Sequence, residues 1–402
     1  MKVPLLDLRR QYLLIKDEVM SAAEEVFDSQ QYIFGPKLEE LEERIAVYSG
    51  CKYAVGVSSG TDALLVSLMA AGLGDRDEVG RFQDDLVITT PYTFFATAGS
   101  IVRLGAKPLF VDIDEKTYNI DPCKLNSKIR SMGKGQRSKL RAIIPVHLYG
   151  QCADMEPIEN TIKDLNLSVD YPGMTLIEDA AQAIGAEYEY SNGVVKRSGS
   201  MGQSGCFSFY PTKNLGGFGE GGMVTTNDRR IYERIIAIRH HGDTGRYNHK
   251  YVGGNFRLDA IQAALILVKF KYLEDWNNRR IENAKYYRKL FKEREMDGIC
   301  LPYQKEIRHI YNQFVIRVPR GRDKMMKYLL DNGVGCAVYY PIPLHLQECF
   351  QNIGLSYKTG DFPVSEKAAL ETLALPIYPE LEKEQLAFVV DTVKKYFDQE
   401  KV

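Results

Sequence analysis

The sequence predicts an α/β fold built on a seven-stranded, mostly parallel sheet and followed by a smaller C-terminal α+β unit. Two observations carry this prediction. Short apolar or β-branched runs alternate with helical segments, and after Phe256 the alternation gives way to a long charged helical stretch. The runs are Tyr53 to Ser58, Leu86 to Thr90, Pro108 to Val111, Ala142 to Val146, Thr175 to Glu178, Cys206 to Phe209 and Met223 to Thr226. Strands separated by helices pair in parallel, because a crossover long enough to hold a helix returns the chain in the same direction. Among the helices, Thr61 to Ala71 places Leu64, Leu65, Leu68 and Met69 at helical spacing, and Gly72 stands where a C-cap is expected.

The stretch that begins LDAIQAALILVKFKYLEDW marks the expected boundary, near its middle. The reading is a large domain over 1–270, with an N-terminal helical segment, and a small domain over 271–402. Expected in the latter are strands at Gln313 to Val318 and Gly335 to Tyr339 and a final helix from Lys383 to Phe397. Lys and Arg number 52 against 53 Asp and Glu, so a net charge of -1 gives no field to hold nucleic acid. The seven cysteines form no C-x-x-C pair, and no stretch approaches the roughly 20 apolar residues of a membrane helix. A cytoplasmic protein without a membrane segment is expected.

Three segments carry chemistry. In AVGVSSGTDALL a strand ends in Ser58-Ser59-Gly60-Thr61-Asp62 and a helix follows at once. Free backbone N–H groups and the positive end of the helix dipole favour an anion there, and Gly60 admits it closely; ordinary helix capping is the structural alternative. In TLIEDAAQAIGA an apolar strand delivers Glu178 and Asp179 at its carboxyl end, with Gln182 three residues after Asp179. Parallel sheets bind ligands at that end, and an acid there can keep a pyridine nitrogen protonated; a helix N-cap is the alternative. In GCFSFYPTKNLGGFGEGG, Lys213 stands between a strand and a glycine cluster. Desolvation frees a lysine amine for Schiff-base chemistry, whereas a solvated loop lysine does nothing of the kind. A phosphate site, a pyridine partner and a Schiff-base lysine in one chain are together what pyridoxal 5'-phosphate requires.

The chain resembles the DegT/DnrJ/EryC1 family of sugar aminotransferases, of the aspartate-aminotransferase-like fold (fold type I). The resemblance runs through LLDLRRQY, SSGTDAL, PYTFFATA, PVHLYGQ, EDAAQAIGA, FSFYPTKNLG, GEGGMVTT, GGNFRLDAIQAA and YYPIPLH. It implies that Lys213 forms the Schiff base and moves the proton, that Asp179 pairs with the pyridine nitrogen and that Gln182 bonds the ring hydroxyl. Phe94 would stack on the ring. Gly60, Thr61 and Ser208 would hold the phosphate, with Asn255 reaching in from a neighbouring subunit of a homodimer with shared active sites. Tyr340 and His345, in YYPIPLH, would contact substrate. His240, His241 and His249 invite a metal reading, but no cysteine or carboxylate spacing supports one.

The reaction so implied moves an amino group from an amino acid, L-glutamate by analogy, to a keto sugar carried on a nucleotide, through pyridoxamine 5'-phosphate. The segment RHHGDTGRYNHKYVGGNFRLD leans towards amination at C-3 rather than C-4. Alternatives are a cofactor-dependent sugar dehydratase, in whose relatives His replaces the lysine, a non-catalytic regulatory homologue and an aminocyclitol aminotransferase. Two departures from the family's pattern stand out. GDRDEVGRFQDDLVITT carries extra residues near 76–85, and the connection LNLSVDYPGMTLIED is long.

Overall fold

The computed structural model describes residues 1–74, 84–167, 174–296 and 298–400. Seven strands form one sheet in the order β1-β9-β8-β5-β4-β2-β3. They are β1 (Tyr53–Val57), β2 (Leu86–Thr89), β3 (Lys107–Phe110), β4 (Leu140–Ile143), β5 (Thr175–Asp179), β8 (Ser204–Ser208) and β9 (Gly222–Thr226). Each lies on a run picked out in the sequence. β5 pairs in parallel with both β4 and β8, while β9 is antiparallel to β8 and to β1 and is the one strand of the sheet that runs against the rest. Two short strands, β6 (Glu187–Glu189) and β7 (Val195–Arg197), form a separate hairpin.

Both faces of the sheet are covered, which is why its strands read as continuous apolar runs. Val55, Val57, Ile177 and Cys206 pack against Ala63, Leu64 and Val66 of the helix Gly60–Ala70. Ala54, Phe207 and Phe209 face the other way, against Leu38, Leu41 and Ile45 of Pro36–Ser49 and Ala263 and Ile266 of Ala260–Phe270. The charged stretch after Phe256 is two helices, Ala260–Phe270 and Leu273–Glu293.

A further core surrounds the two-stranded pair β10 (Phe314–Arg317) and β11 (Thr372–Leu375). It gathers Tyr287 and Leu290 of the long helix, and Val389, Val390 and Val393 of the last helix, Lys383–Glu400, together with Val3 from the start of the chain. The expected strand at Gly335 to Tyr339 is not a regular strand. Ala337 makes only an isolated bridge to Ala374, and Val334 one to Val3, so the partner that β10 takes is β11.

The long connections read in the sequence fall mostly on 75–83 and 168–173, outside the described residues. Of the first, Asp84 pairs with Lys107 (3.1 Å) and Lys139 (2.9 Å), and buried Asp85 pairs with Arg141 (2.9 Å). No helix among the described residues is long and apolar enough to cross a membrane.

The end of β5 is anchored from within. Glu178 is fully buried and accepts the backbone N–H groups of Gly199 (2.7 Å), Met201 (2.6 Å) and Gly202 (2.6 Å). It also meets His147 Nε2 at 2.9 Å, while His147 Nδ1 accepts from the Ala153 N–H at 2.9 Å, so the ring proton belongs on Nε2. Removing the carboxylate leaves these buried donors without an acceptor. Glu178→Ala is therefore expected to lower the unfolding free energy by about 3–5 kcal/mol in urea titration. A loss below about 0.5 kcal/mol, the size of an ordinary surface substitution, would contradict the anchoring role.

Candidate active site

The site is built at the carboxyl ends of β5 and β8. Side chains alternate along a strand, so Glu178 points into the anchor just described and Asp179 to the opposite face. Asp179 is buried. Its Oδ2 accepts from Thr97 Oγ1 at 2.7 Å, and its Oδ1 from the Ala181 N–H at 3.2 Å. Burial raises its pKa, while the bonds from Thr97 and Ala181 and the charge of Lys213 pull it back. Thr97 comes from the first turn of the helix Phe95–Arg103, which Phe94 opens.

Lys213 follows β8 on a tight turn. Its N–H bonds the Tyr210 carbonyl (2.9 Å), and the Gly217 N–H bonds that of Phe209 (2.7 Å). Gly216 is required inside this turn, because a Cβ there would stand 2.3 Å from the Pro211 carbonyl oxygen. The Lys213 side chain is partly buried. Burial pushes its amine down to about 8 from an ordinary 10.5, and the charge of Asp179 acts in the opposite sense. An amine with this pKa is half neutral near pH 8 and available as a nucleophile, which an exposed lysine is not.

A second cluster lies at the start of the helix Gly60–Ala70. Asp62 N–H bonds Ser59 Oγ (3.0 Å), Ala63 N–H bonds the Ser59 carbonyl (2.9 Å), and Ser58 and Ser59 both donate to Asp62 Oδ2. These bonds leave the N–H groups of Gly60 and Thr61 at the open end of the helix. Ser208, the last residue of β8, lies directly against Gly60: a Cβ on Gly60 would stand 2.5 Å from Ser208 Cβ and 2.9 Å from its hydroxyl. Gly222, paired with Ser208, gives the same freedom to Ser59, whose carbonyl oxygen would be 2.3 Å from a Cβ there. Two glycines thus bring a hydroxyl and a helix N-terminus together, the donor set that a phosphate needs.

Gln182 closes the site on a third side. Its Oε1 accepts from the Tyr149 N–H (2.8 Å) and its Nε2 donates to the Tyr340 hydroxyl (3.1 Å). Phe94 is 58% exposed, with its ring 6.2 Å from that of Tyr340. Thr61 and Phe94 both line a cavity of about 390 Å³.

The structure thus brings Asp179 and Lys213 together, Gly60 and Ser208 together, and Gln182, Tyr340 and Phe94 together. It does not bring His345 to them, since that ring is fully buried, bonds Glu366 (3.0 Å) and packs on Phe362. Asn255 is exposed and lies antiparallel to His240 in an isolated bridge. Among the described residues no group of three or more His, Cys, Asp or Glu is placed to hold a metal; His240 meets Arg257 and His249 the His241 carbonyl. Thr97, His147 and Tyr149 were not singled out in the sequence. Thr97 stands three residues beyond Phe94 and His147 and Tyr149 lie in PVHLYGQ, so all three sit in segments that carry the family resemblance, but no local pattern marks what they bond.

Residues 14–394 match the DegT/DnrJ/EryC1/StrS aminotransferase family. The chain belongs to this family. It is 45% identical over 99% of both chains to a Geobacillus stearothermophilus protein named pleiotropic regulatory protein. It is 38% identical to the UDP-2-acetamido-2-deoxy-3-oxo-D-glucuronate aminotransferase of Pseudomonas aeruginosa, over 96% of this chain and 98% of that one. Its fold superposes with a TM-score of 0.87 on S. venezuelae DesV in complex with a ketimine intermediate, at 34% identity and 98% coverage of both chains. NtdA of Bacillus subtilis, solved with bound pyridoxamine phosphate, superposes at 0.82 with 29% identity, over 98% of this chain and 85% of that one. The fold is thus that of these aminotransferases, an α/β architecture on a seven-stranded, mostly parallel sheet.

Competitive labelling of the protein without cofactor, read by mass spectrometry, tests the electrostatics. Lys213 should acquire label with a midpoint near pH 8. Asp179→Asn should lower that midpoint, because the carboxylate's charge favours the protonated amine. A midpoint at the ordinary lysine value, or a rise in the variant, contradicts the account.

Proposed function

We propose that the protein is a pyridoxal-phosphate-dependent aminotransferase that transfers an amino group from L-glutamate to the C-3 keto group of a nucleotide-linked sugar. The observation that carries the reading is a lysine amine pushed down to about 8 beside a buried carboxylate, in a chain of this family. Four relatives support the substrate class, being named as aminotransferases or transaminases of UDP- or dTDP-linked sugars, several with 3-amino or 3-oxo in their names.

The residues fit the cofactor. Gly60, Thr61 and Ser208 offer a helix N-terminus and a hydroxyl for its phosphate. Asp179 would face the pyridine nitrogen, Gln182 the ring oxygen, and Phe94 one face of the ring. When bound, the cofactor supplies an electron sink for the charge that develops at carbon. The chain's own part is to hold the ring, to keep its nitrogen protonated through Asp179 and to move the proton. Lys213 Nζ takes a proton from the α-carbon of the donor and delivers one to the sugar carbon, and a pKa near working pH suits both directions. Tyr340, bonded to Gln182, would contact the substrate. His345, buried and bonded to Glu366, would not touch the sugar.

The same reading makes the protein a cytoplasmic homodimer in which Asn255 of each copy completes the other's site. Its exposure in the single chain and seven free cysteines support this. It also divides the chain into a cofactor-binding domain over 1–270 and a small domain over 271–402, supported by the separate core around β10 and β11. A regulatory role draws support from the name of the 45%-identical relative. Against it stands the complete set of Lys213, Asp179, Gln182 and Ser208, which a protein without amino-transfer chemistry does not need.

Lys213→Ala should abolish both turnover and the visible absorbance of cofactor-loaded protein. Product mass spectrometry with a panel of keto sugar nucleotides and L-glutamate should show a nucleotide-linked amino sugar from the unaltered protein. Full activity in the variant, or a colourless unaltered protein, would overturn the reading.

A further inference from the structure

We infer that Asn214, Asn277 and Asn312 form a buried amide relay that sets the Lys213 turn against the turn carrying Gln182, and so act as positioning residues for amino transfer. The inference rests on the functional reading above. Asn214 is the residue after Lys213. Its Nδ2 donates to Asn277 Oδ1 (2.7 Å) and to the Ile310 carbonyl (3.2 Å), and its Oδ1 accepts from Asn312 Nδ2 (2.9 Å). Asn277 Nδ2 donates in turn to the carbonyl of Ile184, two residues after Gln182, at 3.1 Å. All three amides are buried. One chain of bonds therefore runs from the residue beside Lys213, through the helix Leu273–Glu293, to the turn that follows Asp179 and Gln182. A branch reaches the segment that leads into β10.

The geometry around the relay is tight at both ends. Gly185, at φ +91°, has no room for a side chain, since a Cβ would stand 2.7 Å from Asn277 Nδ2 and 2.4 Å from the Tyr48 hydroxyl. The bonds Lys213 N–H to Tyr210 and Gly217 N–H to Phe209 fix the shape of the lysine turn. The relay fixes where that turn sits. Amides are suited to the task for an electrostatic reason. They give a donor and an acceptor each, yet bring no charge near Lys213 and Asp179, whose mutual attraction a buried ionised group would disturb. Asn277 belongs to the helix Leu273–Glu293, outside the Lys213 turn, and its side-chain bonds reach that turn through Asn214 and the Gln182 turn through Ile184.

Asn277→Ala in the cofactor-loaded enzyme tests this. Its kcat should fall about tenfold while KM for both substrates stays within about twofold, as expected when a reacting group is misplaced but binding is kept. The amides of Lys213 and Gly217 should exchange hydrogen faster, and the pH midpoint of the visible cofactor band should move. Asn214→Ala should give the same pattern, and the double variant should be no worse than the poorer single, because both cut one chain. Unchanged kinetics, exchange and midpoint in Asn277→Ala, or effects that add in the double variant, overturn the relay. If Asn277→Ala does not fold, Asn277→Ser, which stays polar but is too short to reach both Asn214 and the Ile184 carbonyl, is read by the same three signals; its silence overturns the proposal equally. An unaltered protein with no cofactor band overturns the functional reading and this inference with it, whereas a normal band with unresponsive variants overturns the relay alone.

Discussion

Parallel pairing of β5 with β8, with Asp179 opposite Cys206, fixes where the two charged groups of the site emerge. Asp179 ends its strand, and Lys213 returns seven residues after Cys206 on a turn closed by Gly216. Burial disfavours the charged form of each group taken alone, and their mutual attraction opposes that effect in both. The outcome is an amine poised near 8 and a carboxylate held by Thr97 and Ala181. The cluster at the start of the helix Gly60–Ala70 depends on the same frame, because Ser208 closes β8 and packs against Gly60.

The two acids at the end of β5 divide the labour by strand geometry. Glu178 points to one face, where three backbone N–H groups and His147 hold it, and it locks the strand end. Asp179 points to the other, where Thr97 bonds it and the charge of Lys213 reaches it. An adjacent pair of carboxylates thus supplies both the anchor and the acid that faces the site, and the anchor keeps that acid from shifting.

Much of this was legible in the sequence, and the reasons are physical. Strands buried on both faces are apolar runs wherever they occur, so all seven strands of the main sheet stand out. Pairing direction leaves no such local trace, which is why the reversal of β9 appears only in the structure. Gly335 to Tyr339 has the β-branched and small residues of a strand, but it meets the outer edge of Thr372–Leu375 only at the isolated bridge of Ala337 to Ala374. Lys213, Asp179 and Gly60 stand out in the sequence because Asp179 ends a strand, Gly60 opens a helix and Lys213 lies just beyond a strand in a glycine-rich turn. Thr97, His147 and Asn214 do not stand out, because what they bond lies far away in the sequence: Asp179 for Thr97, Glu178 for His147 and Asn277 for Asn214. His345 shows the converse, since a histidine in a motif that borders the site turns inward to Glu366.

The central claim is that Lys213, and no other lysine, holds the cofactor. Lys269 makes the comparison sharp, because burial pushes its amine to about 8 as well, yet it lies over the Phe218 ring and its charge partner is Glu380. Borohydride reduction of the pyridoxal-phosphate-loaded protein, followed by peptide mass spectrometry, decides between them. The account predicts one cofactor adduct per chain, on Lys213. An adduct on Lys269, or no specific adduct, would contradict it.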